Sequence, residues 1–188
     1  MSNDYIYTVA ELEALFEDAK DQIDTYRSLS DELTLRRVKD GSWSIHEICD
    51  HLVVFGNLYL EEMDKAISKA NPVPQKKGAF RPRWHFRKMA SLFEPPYKMK
   101  MKTLPPLQPS KTENLTETFD KLSDIQANVL YILEQAGASR WNLKKIKGKN
   151  PVYRFLSMNL IEYMVMIDVH QRRHFWQIEQ LLSALNEN

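Results

Sequence analysis

The sequence predicts an all-α fold, a four-helix bundle, on three observations. Apolar residues recur at three- and four-residue steps along four long stretches, β-branched alternation is scarce, and only five glycines interrupt 188 residues. The connection between the second and third helices, residues 71–111, is long enough to cross along the bundle. That permits those two helices to run parallel rather than as an up-down hairpin.

The first helix opens on Thr8-x-x-Glu11, a capping box in which hydroxyl and carboxylate satisfy orphan amides. Leu12, Leu15, Phe16, Ala19, Ile23 and Tyr26 then share one stripe. The second opens on Trp43-Ser44-Ile45-His46-Glu47-Ile48: Ser44 is the N-cap, Glu47 the N3 partner, and Trp43 can staple onto Ile48. Ile48, His51, Leu52, Phe55, Tyr59 and Met63 follow on one face, and the helix ends near Ala70, before Asn71-Pro72-Val73-Pro74. The third carries Leu115, Phe119, Leu122, Gln126, Val129 and Leu133, with Gly137 placed to end it. The fourth is expected to start at Asn150-Pro151, Asn as cap and Pro at the first helical position. It runs to about Leu185 with Tyr163, Ile167, His170, His174, Ile178 and Leu181 in register. A short extended piece, Trp141 to Ile146, precedes it. No repeat is present, and residues 1–188 read as one domain with a basic, Pro-rich connection at 71–111.

Bulk properties exclude several classes. A net charge of +1 selects no partner, and no apolar run approaches the roughly 20 residues of a membrane span. The N-terminus lacks the pattern of a secretory signal, and the lone Cys49 cannot form an internal disulfide, so the cytoplasm is the expected compartment.

The chemistry-bearing residues are histidines. His170 and His174 are four apart, so on a helix their β-carbons lie about 5–6 Å apart, close enough for two imidazoles to reach one ion. Both sit on the apolar stripe of the most hydrophobic helix, and His51 does the same between Ile48 and Phe55. A buried imidazole needs partners for its nitrogens. Three inward histidines either share a metal or are separate core residues bonded to carboxylates or carbonyls. The residues alone leave both readings open.

Trp43-Ser44-x-x-Glu47-Ile48-x-x-His51-Leu52, followed about 120 residues later by His170-x-x-x-His174-x-x-Gln177-Ile178, resembles the DinB-like (YfiT-related) superfamily. The resemblance spans about residues 8–185 and departs at 71–111, which is longer and more basic than in smaller members. It implies a four-helix bundle with a parallel crossover and a divalent metal on His51, His170 and His174; imidazole ligation suits zinc, nickel, copper or iron, of which zinc or nickel is expected. It further implies a thiol S-transferase or a hydrolase, acting through a metal-bound thiolate or hydroxide on a small molecule and with a low-molecular-weight thiol as co-substrate. Homodimers are common in that family.

The remaining residues have plainer expected roles. Glu47 is explained by the capping box, Cys49 as a packed hydrophobe opposite His51, and His46 as a solvated first-turn residue. His85 is expected as a loop residue, Tyr163 as core, and Gln177 as lining a cavity beside the metal. Residues 71–111 hold ten Lys or Arg against Glu94, a net +9 that leaves −8 elsewhere, with Phe80, Trp84, Phe86, Phe93 and Tyr97 interleaved. Such a segment either binds nucleic acid or packs its aromatics on the bundle and its cations on an acidic face. The second reading is preferred, because no nucleic-acid motif accompanies the charge. The alternative to an enzyme is a non-catalytic metal-binding bundle whose basic insert docks an anionic partner through Lys76, Lys77, Arg81 and Arg83. No phosphate loop, Gly-x-Ser-x-Gly elbow, Cys-x-x-Cys or His-Glu-x-x-His is present; Gln171 follows His170.

Overall fold

The computed structural model describes residues 5–74, 78–97, 102–110, 114–138 and 140–186. Lys76, Lys77, Lys98, Lys100 and Lys111 of the basic insert lie outside them. Four long helices dominate: α1 (Val9–Arg27), α3 (Ile45–Ile67), α5 (Leu115–Gly137) and α6 (Leu160–Asn186). Shorter pieces are α2 (Asp31–Leu35), α4 (Trp84–Ala90), a 3-10 turn (Pro105–Leu107), and strands β1 (Lys147–Lys149) and β2 (Ser157–Asn159).

The long helices close a ring in the order α1, α5, α3, α6. In an up-down bundle each helix packs beside its sequence neighbours. Here only α3 and α5 do so, while α1 faces α3, and α5 faces α6, across the diagonals. The two expected capping boxes form: Thr8 with Glu11 starts α1, and Ser44 with Glu47 starts α3. Every residue from Met158 to Gln171 is buried, so the first half of α6 is enclosed on all sides rather than striped.

The start of α6 corrects the sequence reading. Asn150 does accept the amides of Val152 and Tyr153, as a cap would, but these bonds close a local turn that ends by Leu156. The chain then pairs β2 antiparallel with β1, Gly148 opposite Met158. The helix begins nine residues later than expected, where Asn159 and Glu162 cap reciprocally: the Glu162 amide donates to Asn159 and the Asn159 amide to Glu162. The extended piece likewise falls at 147–149 rather than 141–146. Gly137 is the last residue of α5 rather than a left-handed cap after it, since the positive-φ glycines are Gly41 and Gly78.

The crossover is fastened to the bundle at several points. Phe80 and Phe86 are buried, and Tyr7 and Phe80 exchange backbone hydrogen bonds at 3.0 and 2.6 Å. The Arg83 guanidinium forks onto the Glu162 carboxylate at 2.7 Å through both Nε and Nη2. Glu94 receives Arg172 of α6, which also pairs with Asp168. Arg83 is thus committed to an acid of the bundle, while Trp84 stands 69% exposed.

Candidate metal centre and its cavity

Burial dictates the state of the site before any ligand is considered. His51, His170 and His174 are 2, 6 and 7% exposed, and one nitrogen from each lies within 4.8 Å of the others. α3 presents His51 and the adjacent α6 presents the pair one turn apart, so residues 119 positions apart meet side by side. Nε2 of His51 and Nε2 of His170 are 3.0 Å apart.

The outer nitrogens fix the tautomers. His51 Nδ1 lies 2.5 Å from the Leu107 carbonyl, which can only accept, so the proton is on Nδ1 and Nε2 carries a lone pair. His174 Nδ1 donates to Gln177 Oε1 at 2.9 Å, which turns its Nε2 lone pair inward too. His170 Nδ1 has no hydrogen-bond partner among the described residues, and its ring stacks on Phe55 at 3.8 Å between centroids. Two inward lone pairs therefore meet a third imidazole that has at most one proton to offer. A cation satisfies all three at once. Tetrahedral metal–nitrogen bonds of about 2.0–2.1 Å set nitrogens about 3.3 Å apart, close to what the ring positions allow.

All three imidazoles are held neutral, the form in which they can ligate. Burial is the chief cause in each case. It pushes His174 down to about 3, aided by His51, and His170 well below the ordinary range, aided by both neighbours. His51 is lowered as well, against a partial counter-effect from the Leu107 carbonyl.

The donor cluster opens on a cavity of about 630 Å³. Trp43, Phe55, Phe93 and Leu104 give it apolar walls, and Arg173 and Lys102 are the cations on its lining. Gln177 lines it, as expected from the sequence. The crossover supplies Met89, Phe93, Tyr97 and residues 102–104 and 107, a role that the sequence reading missed. Its aromatic density was the available signal, read as packing in preference to base stacking.

Other candidates fall where chemistry places them. His46 is not solvated: it is 4% exposed, with Nε2 3.0 Å from the Thr118 hydroxyl of α5. That contact needs α5 alongside, which helix-turn position alone does not reveal. Glu47 closes its capping box and also pairs with Arg37. Trp43, expected as a staple, sets its ring 5.0 Å from His51 and 6.4 Å from His174. His85, expected in a loop, lies in the short helix α4 with its ring edge-on to Trp84 and tilted against Phe86, and it is not part of the cluster. Cys49 is fully buried, and Tyr163 is core, its hydroxyl donating to the Lys149 carbonyl at 2.6 Å.

A helical bundle with a crossed connection and an inward histidine triad defines a class, and the sequence profile of the DinB superfamily matches residues 8–178. The chain belongs to that superfamily. Among solved structures it is similar to YfiT from Bacillus subtilis, described as a probable metal-dependent hydrolase with an unusual four-helix bundle topology. The TM-score is 0.59 at 13% identity, over 95% of this chain and 87% of that one. No curated protein matches the chain. No helix is long and apolar enough to cross a membrane among the described residues.

Proposed function

We propose that this protein is a metal-dependent enzyme that holds a divalent ion, zinc or nickel, on His51, His170 and His174 and activates a small nucleophile. The observation that carries the reading is the convergence of three neutral imidazole nitrogens, at least two with their lone pairs turned inward, at the floor of an apolar cavity. Three neutral ligands leave a coordination position open, the arrangement of working rather than structural sites. When bound, the ion supplies a Lewis acid that lowers the pKa of water or a thiol at that position. The description of YfiT as a probable metal-dependent hydrolase points the same way.

Thiol transfer is the preferred reaction and hydrolysis the second. Among the described lining residues there is no Asp or Glu to serve as a general base. A thiol, with an unperturbed pKa near 8.5, loses its proton on coordination without one, whereas water starts far higher. The chain's residues then have distinct tasks: Leu107 and Gln177 hold the ligating rings, Phe55 packs against His170, and the aromatic walls exclude water from the electrophile.

Metal content by plasma mass spectrometry, beside a His170→Ala/His174→Ala variant, tests the proposal. Near-stoichiometric metal in the wild type, lost in the variant, is the expected result. Wild type that refuses added zinc and nickel overturns it. With metal established, thiol-dependent consumption of an electrophile separates transfer from hydrolysis, which proceeds without thiol.

A further inference from the structure

We propose that the outer face of the β1–β2 hairpin binds single-stranded nucleic acid, with lysines on its phosphates and Phe155 stacked on a base. This site is separate from the histidine cluster and does not depend on the metal reading. Residues 140–154 contain six Lys or Arg and no acid, in a chain whose net charge is only +1. Folding brings part of that run against the C-terminal end of α3. There Lys65, Lys69, Lys147, Lys149, Arg154 and Phe155 line a groove of about 480 Å³. Strand alternation aims the lysines. A Cβ on Gly148 would lie 2.5 Å from the Tyr163 hydroxyl and 3.1 Å from the Glu62 carbonyl, so position 148 is pressed against the bundle. Lys147 and Lys149, on either side of it, project the other way and are exposed. Pairing with β2 and the Tyr163 hydroxyl on the Lys149 carbonyl hold the strand in place.

Some of this charge is already matched. Glu62, the one acid among the described lining residues, pairs with Lys65 and Arg154, and Glu61 pairs with Lys65 as well. Lys69, Lys147 and Lys149 have no ion-pair partner among the described residues. Three cations gathered from two elements repel one another, and a polyanion relieves that repulsion. Lysines on an edge strand also guard it against pairing with other chains, but that role asks nothing of Lys69 or of a bare ring among them. Phe155 is 83% exposed, and Tyr153, its ring centroid 6.2 Å away, is 48% exposed. Exposed rings beside a basic groove are the surface on which unpaired bases stack. Cations set within a groove reach a thin strand better than they reach the flat surface of a bilayer.

Fluorescence anisotropy of a labelled oligothymidylate of about 20 nucleotides, titrated with the full chain at low salt, tests this. Micromolar binding is expected, weakening with salt at a log–log slope of about −2, from three phosphate contacts at about 0.7 each. Lys147→Gln/Lys149→Gln should weaken binding about tenfold or more and flatten the slope. Phe155→Ala should weaken it about fivefold or more and leave the slope alone. The same charge change at Lys39, ahead of α3, and Lys121, on α5, should cost no more than about twofold. All five side chains are exposed, so none of these changes removes a packed group. No binding below about 100 μM, an equal loss in both double variants, or unchanged binding in Phe155→Ala overturns the proposal. A duplex bound as tightly as the single strand overturns it too, because paired bases are closed to Phe155. So does displacement of the strand by equimolar ATP, which would make this a nucleotide pocket. Binding to phosphatidylglycerol vesicles without binding to the strand would assign the patch to a membrane surface and overturn it as well.

Discussion

Arg83 of the crossover and Glu162 of α6 form a two-pronged ion pair, both prongs at 2.7 Å, in which the carboxylate is fully buried and the guanidinium partly exposed. The same carboxylate accepts the backbone amides of Arg83 and Asn159. One side chain therefore caps the most buried helix and pins the segment that walls the cavity. Removing the arginine leaves a buried carboxylate with only amide partners. Arg83→Met is expected to lower the unfolding free energy by about 2 kcal/mol, less than for a fully buried pair because half the arginine already meets water. Urea unfolding reads this directly, and a loss below about 0.5 kcal/mol would show that the pair is incidental.

Gln177 lines the cavity and also holds the His174 ring. Its Oε1 accepts from Nδ1 and fixes which nitrogen faces inward. Gln177→Met keeps the size but removes the acceptor, and the zinc dissociation constant should rise about 10-fold or more. Competition with a chromophoric chelator measures it; unchanged affinity would mean that the ring is held by packing alone.

His46 gives the stability a pH dependence remote from the histidine cluster. Burial lowers its folded-state pKa below the ordinary 6.5, with Asp50 and Glu47 opposing the shift. In the unfolded chain the group takes a proton near pH 6.5 that the folded chain resists. Its contribution is thus present above pH 6.5 and lost as pH falls below that value. Thermal midpoints of His46→Gln should consequently decline less between pH 7 and 5 than those of the wild type. Parallel declines would remove His46 from the account.

Cys49 should be silent in the native protein. Burial pushes its thiol up to about 12, so the reactive thiolate is scarce and sheltered. A thiol reagent at pH 8 should label the protein only after denaturant is added. Fast native labelling would contradict the packing of α3 described above.

The helices and the inward placement of the three histidines were legible because local rules govern them. Capping boxes act over three residues, and the stripes holding His51, His170 and His174 follow from one periodicity. What stayed hidden depends on distant partners. Asn150-Pro151 carries a valid helix-start signal, yet its bonds are spent on a turn because 157–159 pairs with 147–149. His46 resembles any exposed first-turn histidine until α5 brings Thr118 beside it. The crossover's aromatics announce burial but not what they enclose, and Arg173 reads as one more cation until Tyr97 is seen beneath it.

The crossover orients His51 through the main-chain carbonyl of Leu107 rather than through a side chain. Every amino acid brings the same carbonyl, so this contact asks for a backbone path and is indifferent to the letter at position 107. Positioning of the His51 ring and the make-up of the cavity wall are thereby uncoupled. The side chains of Met89, Phe93, Tyr97 and Leu104 can be exchanged to admit a different molecule while the imidazole keeps its orientation. An engineer wishing to retarget this scaffold would vary Met89, Phe93, Tyr97 and Leu104, and leave the length of the loop alone.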